Sequence, residues 1–135
     1  MRVNRLKNRD FKLQSLNVLD SACIQLGMKP DTRTVCVKML NDYAERQRYG
    51  SYSGSGLAAA ALYLSSRMLF ERTLGQKEVS EACCVAQVTL RSYVSKLRKR
   101  VNLNGILASY WSEVEEKVFG QSEYYGQLLV ERARA

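Results

Sequence analysis

The stretch Gln76–Arg100, QKEVSEACCVAQVTLRSYVSKLRKR, decides how the whole chain is read. Its spacing predicts two short helices around a tight turn. Val79 and Cys83 recur at the four-residue interval that buries one face of a first helix, Val85 falls in the turn, and Leu90 falls where a second helix docks on the first. In a DNA-binding helix-turn-helix the first helix crosses the backbone and the second enters the major groove. From Ala86 to Arg100 there are five Lys or Arg residues and no Asp or Glu. The pattern points to duplex DNA. One position departs from it: the turn residue that commonly is Gly is Cys84, and a side chain there would strain a left-handed backbone.

At 100° per residue, Leu90, Val94, Leu97 and Val101 share one side of the second helix and are expected to face the core. The opposite side presents Val88, Arg91, Ser92, Ser95 and Lys99. The candidate base-reading set is Gln87, Val88, Arg91 and Ser92. Gln87 offers an amide to adenine, Val88 an apolar contact to a thymine methyl, and Arg91 a fork to guanine. Lys77, Thr89, Ser95, Lys96, Arg98, Lys99 and Arg100 are expected along backbone phosphates, which position a protein without reading sequence. The bland alternative is a solvated basic face. A second basic segment, Arg2, Arg5, Lys7, Arg9 and Lys12 against the single acid Asp10, reads either as a DNA-binding arm or as a solvated terminus.

Composition narrows the partner. A formal charge of +8 over 135 residues favours a polyanion. The length fits one domain with a sizeable core. No apolar run approaches the roughly 20 residues of a membrane span, and MRVNRLKNRDFKLQ lacks the apolar centre of a secretion signal, so an intracellular protein is expected. There are four Cys and no His. That excludes the usual zinc sites and His-based acid–base catalysis. No Gly-rich phosphate loop or paired-carboxylate pattern is visible either, so neither an enzyme nor a metal or cofactor is expected. The cysteines read as small buried hydrophobes, with a Cys23–Cys36 disulfide as the alternative.

The rest of the chain predicts helices throughout. Asp10–Leu26 places Phe11, Leu13, Leu16, Leu19, Cys23 and Leu26 at three- and four-residue spacings and stops at Gly27. Pro30 opens a second helix with Val35, Val37, Met39, Leu40 and Tyr43 on its buried side. Tyr49–Gly56, YGSYSGSG, is a loop by composition. Leu57–Phe70 is apolar nearly all round, the mark of a central helix. Gly75 is the expected N-cap of the next, with Glu78 reaching back as in a capping box. After Leu103, Ile106, Leu107, Tyr110, Trp111, Val114 and Val118 line one face, and a last helix is expected over Ser122–Arg132. The aromatic residues Tyr110, Trp111, Phe119, Tyr124 and Tyr125 either cover the domain's own apolar surface or form an exposed face for a partner.

Two of these stretches resemble the transcription factor IIB family, which includes the archaeal factor TFB. The family's central helix reads approximately GLAAAALY, as at Gly56–Tyr63 here. Gln76–Arg91 is similar to the motif of the second of the family's two cyclin-like repeats, with Val88, Thr89, Leu90 and Arg91 as the core that opens its recognition helix. Similarity covers roughly Phe11–Leu103. The resemblance implies an all-α, five-helix cyclin-like box over residues 10–103 containing the helix-turn-helix at 76–100. It leaves two segments unassigned, a basic arm at 1–9 and one or two extra C-terminal helices at 104–135. It implies promoter reading beside a TATA box, with Val88, Thr89 and Arg91 at the major groove. TATA-binding protein or an RNA polymerase subunit is then the candidate protein partner. The sequence shows no zinc ribbon and no first repeat, and Ser51-Tyr52-Ser53-Gly54 stands where the family carries Gly, a base, then Ser-Pro. A truncated relative of archaeal or viral origin that modulates transcription is therefore expected, in the cytoplasm of an archaeal host or the nucleus of a eukaryotic one. A cyclin-like protein-binding adaptor is the alternative.

Overall fold

The computed structural model describes residues 2–46, 53–69 and 74–117, with side chains from residue 13 onward. Every regular element among them is an α-helix: α1 (Arg2–Leu26), α2 (Pro30–Arg46), α3 (Gly54–Met68), α4 (Gln76–Cys83) and α5 (Gln87–Arg100), then α6 over residues 103–117. The chain divides into two units, Met1–Leu103 and Asn104–Ala135. The five helices of the first unit form the all-α box expected from the sequence, with α4 and α5 as its helix-turn-helix.

α3 is the centre of that box. Leu57 through Leu62 are almost fully buried, and α1, α2, α4 and α5 all pack against the helix. Four alanines in a row project so little that neighbours can approach from several sides. Each fully buried Leu contributes about 1.5–3 kcal/mol, while the alanines contribute mainly by allowing that approach. Two serines in the same helix are buried without orphaned hydroxyls. Ser66 donates to the Tyr63 carbonyl at 3.0 Å, and Ser65 accepts from the Cys36 thiol at 3.2 Å. Burial pushes that thiol's pKa well up. None of the four cysteines is joined in a disulfide, so the Cys23–Cys36 bridge does not form.

α3 starts three residues before the Leu57 that the sequence suggested. Ser53 is its N-cap, and its hydroxyl accepts from the Gly56 amide at 3.1 Å. A Ser–Gly–Ser–Gly run reads as loop by composition, yet its first Ser satisfies an orphan donor of the helix. α1 likewise begins at Arg2 rather than Asp10. Residues 2–9 contain no Gly or Pro to stop a helix, and Arg, Lys and Leu propagate one well. The side chains of Arg2, Arg5, Lys7 and Arg9 lie outside the described part, as do those of Phe11 and Lys12.

The buried stripe of α1 is Ser15, Leu19, Ala22 and Cys23. Ser15 donates to the Gly54 carbonyl of α3 at 2.9 Å. Leu13 is not part of the stripe and stays 54% exposed, because six residues of helix place it about 120° from Leu19. On α2 the buried set is Thr32, Val35, Cys36, Met39, Leu40 and Tyr43. Val37, expected inside, is half-buried, since Cys36 already occupies the inward position beside Val35.

α1 and α4 end with the same device. After α1, Met28 N–H reaches the Cys23 carbonyl at 2.9 Å and Gly27 N–H reaches Ile24 at 3.3 Å, with Gly27 at φ +66°. After α4, Val85 N–H reaches the Ser80 carbonyl at 2.9 Å and Cys84 N–H reaches Glu81 at 3.3 Å. Both are Schellman closures. The second puts Cys84 at φ 56°, ψ 43°, which sequence reading flagged as the anomalous position. A left-handed non-Gly residue costs about 1–2 kcal/mol.

In the second unit, α6 buries Ile106 and Tyr110 and leaves Trp111 48% exposed, with the two aromatic rings edge to face at 5.4 Å. Val118, Phe119, Tyr124, Tyr125 and the helix expected over Ser122–Arg132 lie outside the described residues, as do Tyr49–Tyr52 and Phe70–Thr73.

Candidate nucleic-acid interface

α4 begins after Gly75, whose backbone is extended as an N-cap requires, and carries Glu78 in its first turn, where a carboxylate complements the helix dipole. Val79 and Cys83 are buried, and burial pushes the Cys83 thiol up to about 12. The turn Cys84–Ala86 then aims α5. Leu90, Tyr93, Val94 and Leu97 of α5 are buried, and Val101 just beyond its end is buried too. Leu90, Val94, Leu97 and Val101 were read from periodicity. Tyr93 was missed.

Tyr93 fixes where α5 sits. Its hydroxyl accepts from the Ser53 amide, the N-cap of α3, at 2.6 Å. Its ring lies so close to Gly56 that a Cβ there would be 2.5 Å from Cδ2. Gly56 is thus the close-approach point between α3 and α5, and the Thr89 methyl would stand 3.3 Å from the same Cβ. No periodicity signals such a contact. The only hint was a Gly opening an otherwise alanine-rich helix.

The rest of α5 divides into two edges and an outward face. On the edge beside Gly56 the polar groups are already engaged. Thr89 is half-buried, Lys96 Nζ lies 4.5 Å over the Tyr93 ring, and Arg100 hydrogen-bonds the Tyr43 hydroxyl, whose pKa is nonetheless raised by burial. The outward face carries Gln87, Val88, Ser92, Ser95 and Lys99, all exposed. Val88 is 68% exposed. On the other edge Arg91 and Arg98 are exposed beside a cleft of about 390 Å³ between α3, α4 and α5. Among the described residues none of Lys77, Arg91, Arg98 and Lys99 enters an ion pair.

The predicted base-reading residues are therefore all exposed, Gln87, Val88 and Ser92 on the outward face and Arg91 on the adjoining cleft-side edge. The predicted phosphate contacts are divided. Lys77, Ser95, Arg98 and Lys99 are exposed and uncommitted, while Thr89, Lys96 and Arg100 are on the engaged edge. Sequence reading also missed Tyr63 and Arg67. They stand four residues apart on α3, with the Arg67 guanidinium 4.4 Å from the Tyr63 ring centroid. The i, i+4 spacing of an aromatic residue and a cation is the signal that would have found them. Among the described residues no group of His, Cys, Asp and Glu side chains is arranged to hold a metal, and no described helix is long and apolar enough to cross a membrane.

This geometry defines a cyclin-like helical box that presents the second helix of a helix-turn-helix. No family model matches the chain, and no solved structure matches it. Curated proteins do. Over 109 residues it is 32% identical to transcription initiation factor IIB 1 of Thermoplasma volcanium, covering 76% of this chain and 34% of the relative. Transcription initiation factor IIB of Methanosphaerula palustris is 34% identical over 63% of this chain and 25% of its own. That of Archaeoglobus fulgidus is 32% identical over 63% and 26%. The chain is a member of the transcription factor IIB-like family, and it spans about a quarter to a third of the length of these relatives.

Proposed function

We propose that this domain binds duplex DNA by laying α5 in the major groove, as a single cyclin-like repeat acting in transcription. The observation that carries the reading is the division of α5. Its buried side and one edge are locked to α2 and α3, leaving Gln87, Val88, Arg91 and Ser92 as a rigidly presented, solvent-facing set. Lys77, Ser95, Arg98 and Lys99 flank that set and serve the phosphates. Thr89 beside Gly56 and Arg100 on the Tyr43 hydroxyl act mainly by holding the helix in place, while Lys96 covers the Tyr93 ring of its own helix. Residues 1–9 would follow the duplex as a basic arm, with 104–135 as a C-terminal extension. The relatives are named transcription initiation factors, which supports a role in transcription initiation. With it we propose promoter DNA as the target and TATA-binding protein or an RNA polymerase subunit as the protein partner.

The test is a pair of substitutions read by duplex titration. Arg91→Ala should weaken binding by about 1–3 kcal/mol on the preferred sequence and relax preference at one base pair. Lys99→Ala should weaken every duplex alike and lower the slope of log K against log salt by about one unit. Equal loss on all sequences for Arg91→Ala would remove it from base reading. A second reading, a protein-binding adaptor, draws on the exposed Trp111 beside Tyr110. It predicts partner binding that survives high salt and Arg91→Ala.

A further inference from the structure

The cleft of about 390 Å³ on the free edge of α5 is not explained by DNA binding. Its floor is apolar, made by Leu90, Val94 and the Tyr63 ring, whereas a phosphate needs no apolar floor. Its rim is cationic: Arg91 and Arg98 stand beside Lys99, and no acidic side chain lines it. Arg67, stacked on Tyr63, adds a further charge next to the α3 wall. A ligand matched to such a site has an apolar group between anionic ones.

The spacing narrows the class. Arg91 and Arg98 are seven residues apart on one helix, about 10 Å along its axis at 1.5 Å per residue. A chain in the polyproline-II conformation covers about 9 Å in three residues and returns its side chains to the same face every third position. We propose that the cleft docks a short acidic segment of a partner protein, with two carboxylates three positions apart on Arg91 and Arg98 and an apolar side chain between them seated on Tyr63 and Val94. Charge complementarity selects this occupant. The rim carries three cations against no acid, and guanidinium groups bind carboxylates through paired, charge-assisted hydrogen bonds. Because Arg91, Arg98 and Lys99 belong to both surfaces, such a segment would exclude DNA. This consequence, unlike the docking itself, rests on the DNA-binding reading.

The experiment is fluorescence anisotropy of the full chain with a labelled hexapeptide carrying two glutamates three positions apart and a leucine between them. The control is the same peptide with both glutamates replaced by glutamine. The glutamate peptide should bind at least about tenfold more tightly than the control, Arg98→Gln should remove about tenfold, and a duplex should displace the peptide. Arg98 is exposed, so Arg98→Gln should leave the thermal unfolding curve unchanged, which separates lost contact from lost fold. Equal binding of both peptides, or equal losses from Arg98→Gln and Lys77→Gln, would overturn the proposal, the second result reducing it to diffuse charge attraction. Self-association without peptide that Arg98→Gln abolishes would make a second copy of the chain the occupant and equally overturn it. A chain that binds the glutamate peptide but no duplex would sustain the cleft and sink the DNA-binding reading instead. Simultaneous binding of both ligands would sustain docking and overturn the exclusion.

Discussion

The two edges of α5 carry similar residues and have different fates. On one, Lys96 lies on Tyr93, Arg100 on Tyr43 and Thr89 beside Gly56. On the other, Arg91 and Arg98 face a cleft with no ionic partner among the described residues. Charge on a helix is thus not the same as charge available to a ligand. The first edge orients the helix, and the second, with the outward face, is free to bind. A pair of neighbouring residues repeats the contrast at smaller scale. Cys83 is buried and Cys84 is exposed in a strained turn, although nothing in their chemistry separates them.

The most damaging way to break this division is to fill the contact that holds the locked edge. Gly56→Ala places a methyl 2.5 Å from a Tyr93 ring carbon. The ring is pinned by its hydrogen bond to Ser53, so α5 must shift. Alanine would ordinarily favour a helix by about 1 kcal/mol over glycine, but overpacking costs about 1–3 kcal/mol. A net loss of stability is expected in a urea titration, together with weaker duplex binding although no DNA-facing residue has changed. A more stable Gly56→Ala variant would mean that α3 and α5 do not meet as described.

The next effect tests the buried half of the cysteine pair. Burial raises the Cys83 pKa from 9.0 to about 12 and raises that of Cys36 as well. A raised folded-state pKa on a thiol contributes stability that is complete below the unfolded value and is lost as pH rises towards the folded one. Between about pH 9 and 12 the unfolded chain alone ionises at these sites, so stability should fall by about 1.4 kcal/mol per pH unit per thiol. Cys83→Ala should flatten the slope of a chemical-denaturation series by one thiol's worth. An unchanged slope would place Cys83 in contact with water.

Cys84→Gly addresses the exposed half. It relieves the left-handed strain but gives the unfolded chain more freedom, for a net gain of about 0.5–1 kcal/mol in thermal unfolding. A loss would mean that the Cys84 side chain holds the turn. The smallest expected effect sharpens the comparison most. Lys96→Ala should leave the salt slope of duplex binding nearly unchanged while Lys99→Ala lowers it by about one unit. Equal slopes for the two variants would erase the distinction between the edges.

What could be read in advance was whatever repeats along one helix. The period of 3.6 residues placed Leu90, Val94, Leu97 and Val101 inside and Val88, Arg91 and Ser92 outside. The spacing of Val79, Cys83 and Leu90 located the turn, and with it the strain at Cys84. The contacts that separate the edges join residues 37 to 57 positions apart. Tyr93 with Gly56, Tyr93 with Ser53 and Arg100 with Tyr43 depend on how far α3 and α2 let α5 approach. A basic residue that reaches a distant hydroxyl looks the same in sequence as one that ends in solvent, which is why Arg100 was grouped with Lys99. Lys96, three residues after Tyr93, did carry a local aromatic–cation spacing. The early start of α3 had a readable signal in Ser53, hidden by the glycines around it.

If the division of α5 is right, this domain reads duplex DNA through the outward face of α5 and the adjoining Arg91. A titration of promoter and scrambled duplexes at two salt concentrations, with the native chain and Arg91→Ala, tests it directly. Tighter binding to the promoter duplex is expected, with a preference that Arg91→Ala reduces and a common loss of affinity on both duplexes as salt rises. Affinity that depends on salt but not on sequence, unchanged by Arg91→Ala, would contradict it.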